Sequence, residues 1–290
     1  MQKACFLVIV IACVSSSLRA EPIKSNDHQT IFWQTYHRPP GIIKTGEDQG
    51  TGFVENALKL ITNQMPEYTH EFPISSLTRA LTDMKANKNV CHPALYKTKE
   101  RSKFITFSKA SIINPGNRII ALKGTLGHLA DGNNTIDLKK LLASQEFAFS
   151  LIKERSYGQA VDDKIGQHFS DGKSQLLAST DLGTVFNMVL KKRVDFTISF
   201  PFELNYFVEK NGIDQTQLVS YFIKDIPKFT LGYVACPKNE WGKSVIKKVN
   251  KVLSKTKLEN DYKRAVTSWW GSEQFSKEFE TFYQTQFLTH

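Results

Sequence analysis

Apolar runs of strand length alternate with segments of helical period along most of the chain. "TIFWQTY" at 30–36 is short and rich in aromatic and β-branched residues, which predicts a strand. In "GFVENALKLITNQM", Phe53, Ala57, Leu60, Ile61 and Met65 fall on one helical face. "THEFPIS" is strand-like again, and "SLTRALTDMKANKN" places Leu77, Leu81 and Met84 at helical spacing. "VCHPALY" is a further short strand. Pro93 within it points to an edge or a bend, because proline cannot donate to a ladder. Strand, helix, strand, helix, strand in this rhythm predicts βαβ units and a mainly parallel sheet.

The rhythm breaks at "NPGNRIIALKG" (114–124), a Pro-Gly turn followed by an apolar strand. A second set of elements follows. "IDLKKLLASQ" reads as a helix capped by Thr135 or Asp137, "EFAFSLI" as a strand, and "SYGQAVDDKIGQHF" as a glycine turn opening a helix. "SQLLAS" (174–179) and "RVDFTISF" (193–200) are strands on either side of the helix "DLGTVFNMVLKK". "FTLGYVACPK" (229–238) adds a strand, and the remainder is helical. The expected fold is therefore α/β with two lobes. Residues 21–115 and 232–290 form the first lobe, and residues 116–231 form a second one inserted into it. Two extended connections, near 112–120 and 228–236, would act as a hinge, and a cleft would open where strand ends and helix N-termini converge.

A chain of 290 residues can bury one large core or two modest ones, so length permits this layout. The net charge of +10 admits an anionic partner, but the basic residues are scattered, with no block longer than Lys191-Lys192-Arg193. No zinc-finger, RNP or basic-helix pattern is present, which argues against nucleic acid. The start, "MQKACFLVIVIACVSSSLRAEP", has Lys3, an apolar run from Ala4 to Val14 and Ala20 before Glu21. That is the layout of a secretory signal peptide over residues 1–20, its apolar run too short to span a bilayer. A lipoprotein signal ending at Cys13 is the rival. Cleavage after Ala20 removes Lys3 and Arg19, lowering the charge from +10 to +8, and leaves Cys91 and Cys236 of the four cysteines. In an exported protein these two are a candidate disulfide; two buried thiols are the alternative.

Several motifs in order carry a resemblance. They are "W-x-x-x-x-x-P-P" from Trp33 to Pro40, "GTGFVENAL", "YKTKERSKFITFS", "RSYG" at 155–158, "KKRVDFTISFPFE" and "WGKSVIKKVN". Together they resemble the bacterial periplasmic solute-binding proteins of the type 2, amino-acid-binding (family 3-like) class. The most specific piece is Thr98, Arg101, Phe107 and Ser108, spaced as "T-x-x-R-x-x-x-x-x-F-S". The resemblance implies a two-lobe binder, each lobe a sheet sandwiched by helices, joined by a two-strand hinge. It also implies that Arg101 pairs with a ligand carboxylate, and that the protein is a periplasmic monomer serving an ABC transporter. Physics agrees for Arg101, since a guanidinium holds a carboxylate through two parallel hydrogen bonds. Lys97, Lys99 and Lys103 read as solvated charges.

Other residues enter by position. Arg155, Ser156, Tyr157 and Gly158 form a turn at a helix N-terminus, where N–H groups attract anions. Trp33, Tyr36 and Arg38 follow the first strand, where the family sets groups against the ligand; Thr98 accompanies Arg101. The Asp that holds the ligand ammonium in this class is replaced by Phe200, and Glu203 is the nearest candidate for the missing carboxylate. An ordinary α-amino acid is therefore in doubt, and a small acid-bearing ligand is the expectation. Three alternatives remain: a hydrolase, a dehydratase-like enzyme using Glu203 as acid or base, and the binding subunit of a sensor. No G-x-S-x-G, H-E-x-x-H or Walker loop supports an enzyme, the seven His are isolated, and no cofactor or metal is expected.

Overall fold

The computed structural model describes residues 30–170, 177–179, 181–271 and 276–290, so the signal-peptide and lipoprotein readings lie outside the described residues. In chain order the elements are β1 (Thr30–Trp33), α1 (Phe53–Thr62), β2 (Thr69–Glu71), α2 (Leu77–Lys85), β3 (Val90–Leu95) and, after a 3₁₀ turn at Arg101–Lys103, β4 (Ile105–Pro115). Next come β5 (Arg118–Leu122), β6 (Thr135–Ile136), α3 (Leu138–Ser144), β7 (Phe149–Ile152), α4 (Gln159–Ser170), β8 (Leu177–Ser179), α5 (Leu182–Leu190) and β9 (Phe196–Ser199). The chain ends with α6 (Pro201–Lys210), β10 (Leu218–Ile223), β11 (Phe229–Pro237), α7 (Glu240–Thr256), α8 (Asn260–Thr267) and α9 (Lys277–Phe282), the last running into a π-helical turn at Tyr283–Phe287.

Two mixed sheets carry these strands. The first has the order β2-β1-β3-β11-β4 and the second β6-β10-β5-β9-β7-β8. The first thus takes strands from before residue 116 and after residue 228. Its β2-β1-β3 part is parallel, as the βαβ rhythm predicts, but β11 runs antiparallel to both β3 and β4. In the second sheet β5 is antiparallel to both β9 and β10. A mainly parallel arrangement holds only locally, because a chain that leaves one sheet for another and returns must reverse direction. The strand at 218–223, "LVSYFI", lacks the regular apolar-polar alternation that would announce it in the sequence.

Local chemistry explains the boundaries. Ser76 caps α2 by accepting from the Arg79 N–H, and Asp137, rather than Thr135, caps α3 by accepting from Lys139 and Lys140. On α1, Val54, Ala57, Leu58 and Ile61 are buried, giving the i, i+3, i+4, i+7 stripe that packs on the sheet. Of the edge or bend that Pro93 predicts, the structure has an irregularity and not an edge: β3 is central. The ladder to β11 is irregular there, with His92 opposite Ala235 and Leu95 opposite Tyr233. Three steps on one strand thus face two on the other, and the missing N–H of proline falls in this bulge.

Cys91 of β3 and Cys236 of β11 form a disulfide with Cα atoms 4.4 Å apart. It joins the two chain segments of the first sheet, of the two readings the one with bonded cysteines. The connections between sheets run side by side, with the Gly116 N–H donating to Lys228 O at 2.6 Å. A Cβ at Gly116 would sit 2.7 Å from Pro227 O, so only glycine permits this approach. Helix α6 hangs from the second sheet, yet its first turn joins the core of the first: Phe202 meets Phe53 edge-on at 5.1 Å. No helix among the described residues is long and apolar enough to cross a membrane.

Candidate functional site

The loops that follow β1, β3, β7 and β9 meet where the two sheets face each other. They enclose a cavity of about 40 Å³ lined by Tyr36, Arg38, Tyr96, Arg101, Arg155 and Phe200, with Asn114 and Gly232 from the crossing strands. The lining includes three arginines and no carboxylate. On the far side of Arg101 lies a wider pocket of about 490 Å³, between α2 and the stretch Glu154–Asp162.

Arg101 opens the 3₁₀ turn, which Thr98 fixes: its Oγ1 accepts from the Arg101 N–H at 3.2 Å. The Arg101 guanidinium is buried and donates from Nη1 to Tyr96 O (3.1 Å) and from Nη2 to Glu154 O (3.0 Å). One acceptor follows a strand of each sheet, so Arg101 bridges the cleft. Burial lowers its pKa, and no carboxylate among the described residues hydrogen-bonds to it. The neighbouring Lys97, Lys99 and Lys103 are exposed, as expected of solvated charges.

Behind the Phe200 wall sits a buried ion cluster. Arg155 donates to both Glu203 oxygens, Nη1 to Oε1 at 3.2 Å and Nη2 to Oε2 at 2.8 Å, and Arg38 Nη1 lies 3.6 Å from Oε1. Glu203 Oε2 also accepts from Ser199 Oγ (2.8 Å) and from the Phe200 N–H (3.1 Å), capping α6. Burial alone would raise the Glu203 pKa, but Arg155 and Arg38 outweigh it and the net shift is downward. For Arg155, burial opposes the charge and Glu203 restores it, leaving the pKa raised. The Arg155 guanidinium carbon lies 5.0 Å from the centroid of the Tyr157 ring and 5.2 Å from that of Phe200.

The 155–158 turn is differently employed from the expected anion cradle. Ser156 Oγ donates to Asp162 Oδ2, and the Tyr157 N–H donates to Asp162 Oδ1 at 2.7 Å. The Gly158 N–H donates to Ser156 Oγ at 3.2 Å, with Gly158 at φ +93°, where a Cβ would be strained. The chain's own carboxylate fills the helix N-terminus. Burial raises the Asp162 pKa, the hydrogen bonds from Ser156 and Tyr157 opposing it.

Of the residues singled out from sequence, Tyr36, Arg38, Arg101, Arg155 and Ser156 line the cavity. Thr98 lines only the wider pocket and positions Arg101, while Tyr157, Gly158 and Glu203 stand behind the wall. Trp33 is a correction. It is fully buried in the first core, its Nε1 donating to His70 Nδ1 at 3.0 Å, because the alternation of β1 points it away from the cleft. Glu203 is a second correction, since its oxygens are taken by four donors of the chain. Tyr96, Asn114 and Asp162 were missed. Tyr96 shares a 2.6 Å hydrogen bond with Thr230 Oγ1 across the hinge strand, and Asn114 lines the cavity with no hydrogen bond to its amide among the described residues. A polar or aromatic residue at a strand's end was the sequence signal for Tyr96 and Asn114, and an acidic residue in a helix's first turn that for Asp162. No group of metal-ligating side chains occurs among the described residues.

No protein-family profile and no curated relative matches the sequence. Solved structures do match. An ancestral arginine-binding protein bound to arginine is 17% identical, with 84% of this chain and 99% of that one covered and a TM-score of 0.64. A histidine kinase sensor domain similar to periplasmic binding proteins is 13% identical, covering 85% and 98% at a TM-score of 0.65. A structure from work on glutathione import via the cystine ABC importer of Streptococcus mutans is 16% identical, covering 84% and 95% at 0.67. The chain thus has the two-lobe fold of amino-acid-binding periplasmic proteins and Venus-flytrap domains.

Proposed function

We propose that this protein is an exported, extracytoplasmic solute-binding protein that captures a small acid-bearing molecule between its lobes, for an ABC importer or a sensor partner. In this reading the lobes divide at 115/116 and 231/232. One observation carries it: loops from both sheets converge on a cavity lined by Arg38, Arg101 and Arg155 without a carboxylate. Arg38 and Arg155 share the single carboxylate of Glu203, and among the described residues Arg101 meets only carbonyl oxygens. The three guanidinium groups thus keep an excess of positive charge that a ligand acid would compensate. Contacts across the cleft suit a flytrap that closes. Besides Arg38 with Glu203, Lys210 pairs with Asp48 at 2.6 Å and Tyr206 packs edge-on to Trp269 at 5.4 Å. The dehydratase-like alternative loses its acid or base, because Glu203 is held ionised by two arginines.

The test is a thermal-shift screen of residues 21–290 with small carboxylates, amino acids and short peptides. A ligand that binds only the folded state raises Tm, by about 2.7 kcal/mol of added stability at a hundredfold excess over Kd. Arg101→Ala is expected to abolish the shift; an unchanged shift would refute the role of Arg101. Turnover of a hit would refute the non-enzymatic reading.

A further inference from the structure

We propose that the ligand is a small organic anion without an ammonium group, a mono- or dicarboxylate, and that the site selects against amino acids. This inference rests on the solute-binding reading above. A zwitterion needs an anionic partner for its ammonium, and the cavity offers none. The three guanidinium groups facing it meet no Asp or Glu in the lining. Glu203, the one buried carboxylate close by, is consumed by Arg155, Arg38, Ser199 and the Phe200 N–H. The remaining carboxylates, Glu100, Glu154 and Asp162, line the wider pocket beyond Arg101, and Asp162 is spent on Ser156 and Tyr157.

Phe200 completes the exclusion. It presents an aromatic wall to the cavity, with no charge to offer an ammonium, its ring 4.9 Å from Phe202 and 6.4 Å from Tyr96. An ammonium placed here would face guanidinium groups and an aromatic ring already covered by Arg155. A carboxylate finds the opposite: Arg38 Nε is buried and has no partner among the described residues, and the Asn114 amide is open to the cavity. The volume of about 40 Å³ admits only a few water-sized groups, which favours a short acid.

Matched pairs that differ in the ammonium alone decide the matter: succinate with aspartate, glutarate with glutamate, pyruvate with alanine. Calorimetric titration of the wild-type protein is expected to show the des-amino member binding at least about tenfold more tightly, since like-charge juxtaposition costs several kcal/mol. An amino acid bound as tightly as its des-amino partner, or more so, would overturn this inference and leave the solute-binding reading intact. Should no member of any pair, and no acid of the wider screen, bind at millimolar concentration, both would fall.

Discussion

Glu203 is the residue on which most of the cleft's charge balance turns. Two arginines, a serine hydroxyl and a backbone N–H converge on its two oxygens, and it is 2% exposed. Removing one member of a buried ion cluster strands the others, at a cost of about 3–5 kcal/mol. Glu203→Gln is therefore expected to lower the unfolding free energy, read from urea titration, by that amount. A loss below about 1 kcal/mol would mean that Arg155 and Arg38 find other partners. His92 governs an acid-side effect. Burial, then Arg38 and Arg101, lowers its pKa from 6.5 to about 3. The imidazole accepts from the Ala94 N–H and stays neutral in the folded protein. In the unfolded chain it charges below 6.5, so its contribution to stability is full above that pH and lost as pH falls from 6.5 toward 3. Melts from about pH 7.5 to pH 5 are expected to show a decline that is shallower in His92→Gln.

At the scale of elements, the strand pair β3 and β11 holds the first sheet together. Its strands come from segments separated by 145 residues, and the Cys91–Cys236 bond closes that loop. Loop-closure entropy gives such a cross-link about 5 kcal/mol. Reduction, or Cys91→Ala with Cys236→Ala, is expected to lower Tm by well over 10 °C, read by calorimetry with and without reductant; a shift of a few degrees would show that sheet pairing alone sets the register. The helix α6 is the second decisive element. Its N-terminal Phe200 and Phe202 belong to the core of the first sheet although its parent strand β9 lies in the second. In the proposed solute-binding reading, a lobe opening as a rigid body would pull these rings out of the core, which would tie the cavity to closure.

At the scale of the molecule, the polar contacts that link the two sides of the cavity among the described residues include Arg101 to Glu154 O, Arg38 to Glu203 and Lys210 to Asp48. Lys210 and Asp48 are solvent-accessible, and exposed pairs of this kind contribute about 0–1 kcal/mol. The buried contacts weigh more. Arg101→Ala with Arg38→Ala is expected to shift the ligand-free protein toward an open form, measured as an increased radius of gyration by X-ray scattering; an unchanged radius would mean that the α6 aromatics suffice to hold the lobes shut.

Many local determinants were in the sequence: periodicity gave α1 and α2, the apolar run at 229 gave a strand, and the family resemblance carried by Thr98, Arg101, Phe107 and Ser108 drew attention to Arg101. Each depends on residues within a dozen positions of one another. Pairings over longer distances were not legible. Arg155 meets Glu203 48 residues away, and nothing in either segment names the other. Asp162 closes the turn that the sequence offered to a ligand, and Trp33 turns inward on the side of β1 that faces the core. Sequence by itself determined most of the segments that become strands and helices, because their periodicity is local; β10 is an exception. The tertiary structure alone decided which charges are spent inside the protein, because only folding brings distant carboxylates and guanidinium groups within hydrogen-bond reach.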